Sequence, residues 1–295
     1  MKKYLISGLL VATLIVSVGA VLAAKPSFSN KKDKVEIPSD AIEVSPGVFY
    51  LGKAKDKGRV VEGYAFVRYK KGFGKPETEC GNGICEPGEN ARKCPADCGG
   101  GGNGEEPASS CYGFLARGAK WKTLEPYIVN PSNTEGLSKV FVVNNLAFNI
   151  DKWESAAGAN ILGEGSFTIK TLEADMVSPD YQNEVYFADI DSPGAIGVTI
   201  VWGIFGGPPP FRELVEWDQI YDDVDFDWSA SGEAGKMDFK NIATHELGHS
   251  VGLDDLYNSK CSEQTMYGYA INGETKKRSL EAGDITGIQT LYGTK

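Results

Sequence analysis

The chain has 295 residues, 41% of them hydrophobic and 24% charged, which is enough apolar material for at least one full core and excludes a disordered tail. Its 30 basic and 40 acidic side chains give a net charge of -10, which argues against nucleic acid as a partner. The charge is uneven: residues 1–79 carry 14 basic and 8 acidic side chains, residues 108–295 carry 14 and 27.

Lys2 and Lys3 precede an apolar or small-residue run, 5–24, that closes on Val-Leu-Ala-Ala. This is the pattern of a secretory signal over residues 1–24, cut after Ala23 or Ala24. Left uncut, a run of about 20 residues would instead anchor the chain in a bilayer, and that is the only membrane association expected. Either way the remainder is expected to be extracellular, in an oxidising space where its six cysteines are bridged.

Residues 25–79 alternate apolar and polar positions, as at 48–51 and 64–69, and read as a small β-rich segment. Roughly 50 residues is near the lower limit for folding alone. Its basic charge opposes that of the acidic part, so it either docks there or is tethered beside it.

Cys80, Cys85, Cys94 and Cys98 form a tight cluster over residues 80–98. In an exported chain this reads as a disulfide-tied loop module with three possible pairings, against a zinc knuckle as the competing reading. Asn82, Glu86, Glu89, Asn90 and Asp97 also offer oxygens for Ca²⁺, although solvated acids look the same. Residues 99–107, rich in Gly, read as a linker, and a main domain is expected over 108–295.

In that domain strands are expected at 126–130, 167–172, 185–190, 196–202 and 214–221. A helix over 135–156 places Val140, Val143, Leu146, Ala147, Ile150 and Trp153 on one stripe. A second helix, 239–251, starts at Asp238 as N-cap and stops at Gly252; a third covers 283–291. The fold class is α+β, and oligomeric state is not legible.

His245-Glu246-Leu247-Gly248-His249 lies on the second helix. Positions i and i+4 share a helix face, so both imidazoles reach one metal ion, with Glu246 beside it. These are the only two histidines of the sequence, which makes two unrelated structural histidines a poor explanation. A catalytic zinc takes three protein ligands and keeps one open position. If Gly252 turns the chain, Asp255 folds back as the third ligand; Asp254 in that role is the alternative.

The spacing His-Glu-x-x-His-x-x-Gly-x-x-Asp resembles the long zinc motif of metzincin metallopeptidases, with Thr265-Met266-Tyr267-Gly268-Tyr269 placed as their methionine turn. Among metzincins the chain is most similar to the matrixins of prokaryotic type. Trp121 with residues 126–130 resembles their first strand, and residues 283–293 their last helix. The resemblance covers roughly 111–295 and leaves the front of the chain unaccounted for. It implies a twisted mixed sheet with an active-site helix and a C-terminal helix.

The resemblance further implies a secreted zinc endopeptidase acting on a protein or peptide substrate. His245, His249 and Asp255 would ligate one catalytic Zn²⁺, Glu246 would be the general base, and Met266 an apolar floor. Substrate would pair along an edge strand near 195–202, with Tyr267 and Tyr269 as pocket walls. The acidic run Glu213, Glu216, Asp218, Asp222, Asp223, Asp225 and Asp227 offers structural Ca²⁺ sites, as matrixins often have; a solvated acidic edge is the other reading.

This sequence departs from the matrixin pattern in three respects. Asp stands where the third ligand is usually His, as in the snapalysin-like metzincins. There is no further histidine for a second zinc, and the inhibitory Pro-Arg-Cys-Gly motif is absent. Cys111 and Cys261 are expected to bridge the domain start to the active-site loop, with pairing to the 80–98 module as the alternative. The competing function is a catalytically inactive metzincin fold used as an extracellular binding module.

Overall fold

The computed structural model describes residues 34–73 and 108–294. The expected signal segment, the four-cysteine module with Cys80, Cys85, Cys94 and Cys98, and the linker lie outside the described residues. Among the described residues no helix is long and apolar enough to cross a membrane.

Among the described residues the fold is α+β, a mixed ten-stranded sheet with a separate two-stranded pair and three α-helices. The front of the chain supplies β1 (Lys34–Val35), β2 (Ile42–Ser45), β3 (Val48–Asp56) and β4 (Arg59–Lys70). Then come β5 (Glu125–Val129), α1 (Lys139–Ala157), β6 (Leu162–Phe167), β7 (Asn183–Ile190), β8 (Ala195–Ile204) and β9 (Glu213–Asp222). The pair β10 (Trp228–Ser229) and β11 (Met237–Asp238) leads into α2 (Phe239–Ser250), and β12 (Tyr269–Ala270) precedes α3 (Ala282–Tyr292).

The strand order is β2-β3-β4-β8-β9-β7-β5-β6, with β1 beside β7 and β12 beside β4. β8 is therefore not an edge strand, as the sequence reading had it. Arg59–Lys70 pairs with it antiparallel from Glu62 opposite Gly203 to Tyr69 opposite Ala195. The front segment is thus continuous with the sheet of the main domain.

One sheet face carries α1 and α2 over a core that includes Trp153, Trp217, Tyr221, Phe239 and Leu247. Val61, Val67, Val198, Ile200, Trp202 and Ile220 form the core of the other. Ser138 caps α1 by accepting from the Phe141 amide at 3.1 Å, and Gly158 ends it at φ +64°, a conformation glycine adopts without a Cβ penalty.

The inward stripe of α1 is Val142, Leu146, Ile150, Trp153 and Ala157, whereas Val140 and Ala147 face outward. The apolar reading misassigned the face because Asn145 and Asn149 are buried. They satisfy each other at 3.0 Å, and Lys152 donates to Asn149. Likewise β6 ends at Phe167, where residues 167–172 read as a strand. Its Leu-Gly-Glu-Gly-Ser start has poor strand propensity, yet a Cβ at Gly165 would stand 2.4 Å from the Tyr127 ring, so the cross-strand packing needs that glycine. Cys111 and Cys261 are joined as a disulfide, tying the start of the main domain to the loop before Met266.

Candidate metal centre and active site

α2 begins where Asp238 accepts from the Asn241 amide at 2.9 Å and pairs with Arg278. It ends in a turn at Gly252, φ +102°, where the amides of Gly252 and Leu253 return to the carbonyls of His249 and Gly248. That reversal carries Asp255 back over the histidine face. Asp255 Oδ1 lies 3.2 Å from His245 Nε2 and 3.7 Å from His249 Nε2. Asp254 does not join them; its side chain accepts from the Asp255 amide at 2.9 Å.

His245 Nδ1 donates to the Thr265 carbonyl at 2.7 Å and His249 Nδ1 to the Leu253 carbonyl at 3.0 Å. Each ring is thereby fixed as the tautomer with a lone pair on Nε2. The two Nε2 atoms stand 3.1 Å apart, a separation two lone pairs tolerate only with a cation between them and the carboxylate. Asp255 Oδ1 and Glu246 Oε1 are buried without a hydrogen-bond partner. His245, His249 and Asp255 thus present converging donors of the types a divalent transition metal takes, and the residues fit such an ion.

The electrostatics agree. Burial pushes His245 down to about 3 and also lowers His249, so both imidazoles are neutral at pH 7. Burial opposes ionisation of Asp255, but the imidazoles in their protonated form, together with Arg68, outweigh it and hold the carboxyl down at about 2. Glu246 is pushed up to about 7 by burial, within the range of a general base working near neutrality.

Four supporting groups carry no signal in the sequence. Thr199 Oγ1, on β8, donates to Glu246 Oε2 at 2.6 Å and leaves Oε1 turned to the centre. Asp284 accepts from the amides of Thr265 and Met266 at 2.8 and 3.1 Å and so fixes the turn beneath the histidines. The Tyr257 hydroxyl lies 3.3 Å from Asp255 Oδ2. Gly248 is the fourth: it lets the buried Met266 thioether pack against the helix between the two histidines.

Tyr267 and Tyr269 line, with Tyr257, Lys71, Ile271 and Lys276, a cavity of about 350 Å³. The acidic run disperses. Glu213 pairs with Arg59 and Lys122, Asp222 accepts from the amides of Ile190, Val224 and Asp225, and Asp223 accepts from Thr134. Glu216 and Asp218 instead meet Asp175, which lay outside the sequence reading, in a second group of converging carboxylates.

Residues 212–293, from the start of β9 through α2 to α3, match the matrixin peptidase family. The chain carries a matrixin-like metzincin domain. Among curated proteins, matrilysin of Rattus norvegicus is 40% identical over 73 residues, 25% of this chain and 26% of that protein. Metalloendoproteinase 4-MMP of Arabidopsis thaliana is 38% identical over 71 residues, 24% of this chain and 19% of the relative. Stromelysin-1 of Equus caballus is 41% identical over 78 residues, 26% and 15% of the two chains. The matched region spans at most about a quarter of the length of these relatives. The matrixin-like part contains α2 and the methionine turn, whereas β1–β8 lie before the matched residues.

Proposed function

We propose that this chain is an exported zinc-dependent endopeptidase whose general base is Glu246. The observation that carries this reading is the convergence of His245 Nε2, His249 Nε2 and Asp255 Oδ1 beside a buried carboxylate with one oxygen free. His245, His249 and Asp255 would hold the zinc. When bound, the ion supplies Lewis acidity toward the scissile carbonyl and the attacking water.

Glu246 Oε1 takes the proton of the attacking water and delivers it to the amide nitrogen that leaves. Thr199 holds Oε2 and fixes which oxygen faces the substrate. Burial keeps the base poised near neutrality and excludes bulk water from the proton's path. Met266 closes the floor without contributing a ligand. Export rests on the residues 1–24 pattern and on the disulfide joining Cys111 to Cys261.

The same reading gives the second carboxylate group a structural role. Asp175, Glu216 and Asp218 are where a Ca²⁺ ion would be held, since Glu216 Oε1 is buried without a partner. With no cation there, burial pushes Glu216 up to about 10.

The test is hydrolysis of casein by the zinc-loaded full chain, assayed intact and after scission at a protease site engineered between Gly100 and Gly104. Glu246→Ala and a chelator serve as controls. Hydrolysis abolished by both controls is expected; a Glu246→Ala variant as active as the parent would overturn the assignment of the base. Zinc bound with no hydrolysis in either form would favour the binding-module reading.

A further inference from the structure

The sheet presents two buried polar side chains to α2. Thr199 on β8 stands directly opposite Gln219 on β9, and residues paired in register share a sheet face. Thr199 holds the Glu246 carboxylate. Gln219 reaches the main chain of the same helix: its Nε2 donates to Ser250 Oγ at 2.9 Å, and Ser250 Oγ donates to the Glu246 carbonyl at 3.4 Å. From the other end the Tyr221 hydroxyl donates to Gln219 Oε1 at 2.8 Å. Gln219, Tyr221 and Ser250 are all fully buried, so each needs the partner it has.

The direction of this chain of donors is fixed. Burial and the facing Glu246 carboxylate push the Tyr221 phenol well above its ordinary value, so it stays protonated and donates. That turns the Gln219 carbonyl oxygen to Tyr221 and its amide nitrogen to Ser250, whose own proton is left for the helix. The Tyr221 ring is clamped by Phe187, Trp228 and Phe239, centroids 5.6, 5.8 and 4.9 Å away. Phe239 is the first residue of α2 and Ser250 the last. β9 therefore grips both ends of the helix, by a ring at one and by a hydrogen bond at the other. Trp121 adds a second hold on the far end, where its Nε1 donates to the Ser250 carbonyl at 2.7 Å.

Glu246 is thus tied to one pair of opposed strand positions twice, by its side chain through Thr199 and by its carbonyl through Ser250 and Gln219. Gly197, opposite Tyr221, lies on the same face, and a Cβ built there would stand 3.7 Å from Glu246 Oε1. This patch of sheet abuts the oxygen left free.

We propose that Gln219, Ser250 and Tyr221 are positioning residues, a buried relay that locks the last turn of α2 onto β9 and so sets where Glu246 and His249 stand at the metal centre. The proposal rests on the peptidase reading for its chemistry and on the three hydrogen bonds for its geometry. An apolar contact between helix and sheet tolerates small slides and rotations, whereas a directional chain of donors admits one register. Loosening the relay displaces the base and one imidazole together, and a reacting geometry tolerates little displacement. The loss falls on the chemical step and on metal affinity, since none of the three side chains lies where substrate would pair.

The experiment is a double-mutant cycle in the full chain with Gln219→Met and Ser250→Ala, read by zinc affinity in chelator competition, by kcat and KM for casein, and by melting temperature. Each substitution is expected to lower zinc affinity about five- to tenfold and kcat about tenfold with KM within about twofold, and the double variant to lose no more than the worse single. Zinc affinity and kcat at the parent's values in both folded variants, whatever the melting temperature, would overturn the proposal, as would losses that simply multiply. If either substitution prevents folding, Tyr221→Phe removes one hydroxyl and keeps the aromatic packing; it is expected to lower zinc affinity and kcat about two- to threefold, and no change would overturn the relay. A parent that binds zinc without hydrolysing casein defeats the peptidase reading instead, and the relay is then judged on zinc affinity through the same cycle.

Discussion

A Cβ built on Gly248 would stand 2.1 Å from Met266 Sδ. The residue between the two histidines is therefore set by the thioether beneath it, and Trp153 closes the other side at 3.0 Å. Gly248→Ala is expected to destabilise the fold by about 1–3 kcal/mol and to weaken zinc binding, because Met266 cannot retreat within a packed core. Urea unfolding and zinc competition check both; an unchanged midpoint would show that the thioether yields freely.

Thr199 acts through Glu246. Thr199→Val removes a hydrogen bond to a carboxylate at similar side-chain volume, and casein hydrolysis is expected to fall about 10- to 100-fold with melting temperature little changed. Thr199→Ser restores the donor and is expected to recover most of the rate. Loss in both variants would point to packing and not to orientation of the base.

Much of the centre was legible because one periodicity carries it. A four-residue spacing puts His245 and His249 on one helix face, and the glycine at 252 turns the chain where a carboxylate follows. Thr199, Tyr257 and Asp284 were not legible, since each is fixed by which element the fold lays over α2. Thr199 sits in an apolar strand and gives no pattern of its own. The same limit applies to Arg68. Alternation over 64–69 marks a strand, but the strand it will pair with depends on a long-range register that local pattern does not encode.

Calcium is expected to raise the melting temperature of the parent chain and to leave Glu216→Gln unmoved, since that substitution removes a converging carboxylate. Thermal unfolding with and without Ca²⁺ decides this. A parent chain indifferent to Ca²⁺ would make the group a protonated cluster.

Burial pushes Lys152 down to about 8, aided by the nearby Lys240. Below pH 8 this lysine is charged in folded and unfolded chains alike, and folding carries the cost of burying it. Above its ordinary 10.5 it is neutral in both, so its contribution to stability improves as pH rises between the two values. Lys152→Met is therefore expected to be more stable than the parent at pH 7, with the gain shrinking by pH 10, read from urea midpoints. A gain independent of pH would contradict this.

The most direct measurement is zinc titration of the disulfide-oxidised full chain beside Asp255→Asn and Asp254→Asn. One zinc per chain is expected, with affinity reduced about a hundredfold or more by Asp255→Asn and left near the parent's by Asp254→Asn. Equal affinities in all three proteins, or no zinc bound by the parent, would contradict a metal centre built from His245, His249 and Asp255.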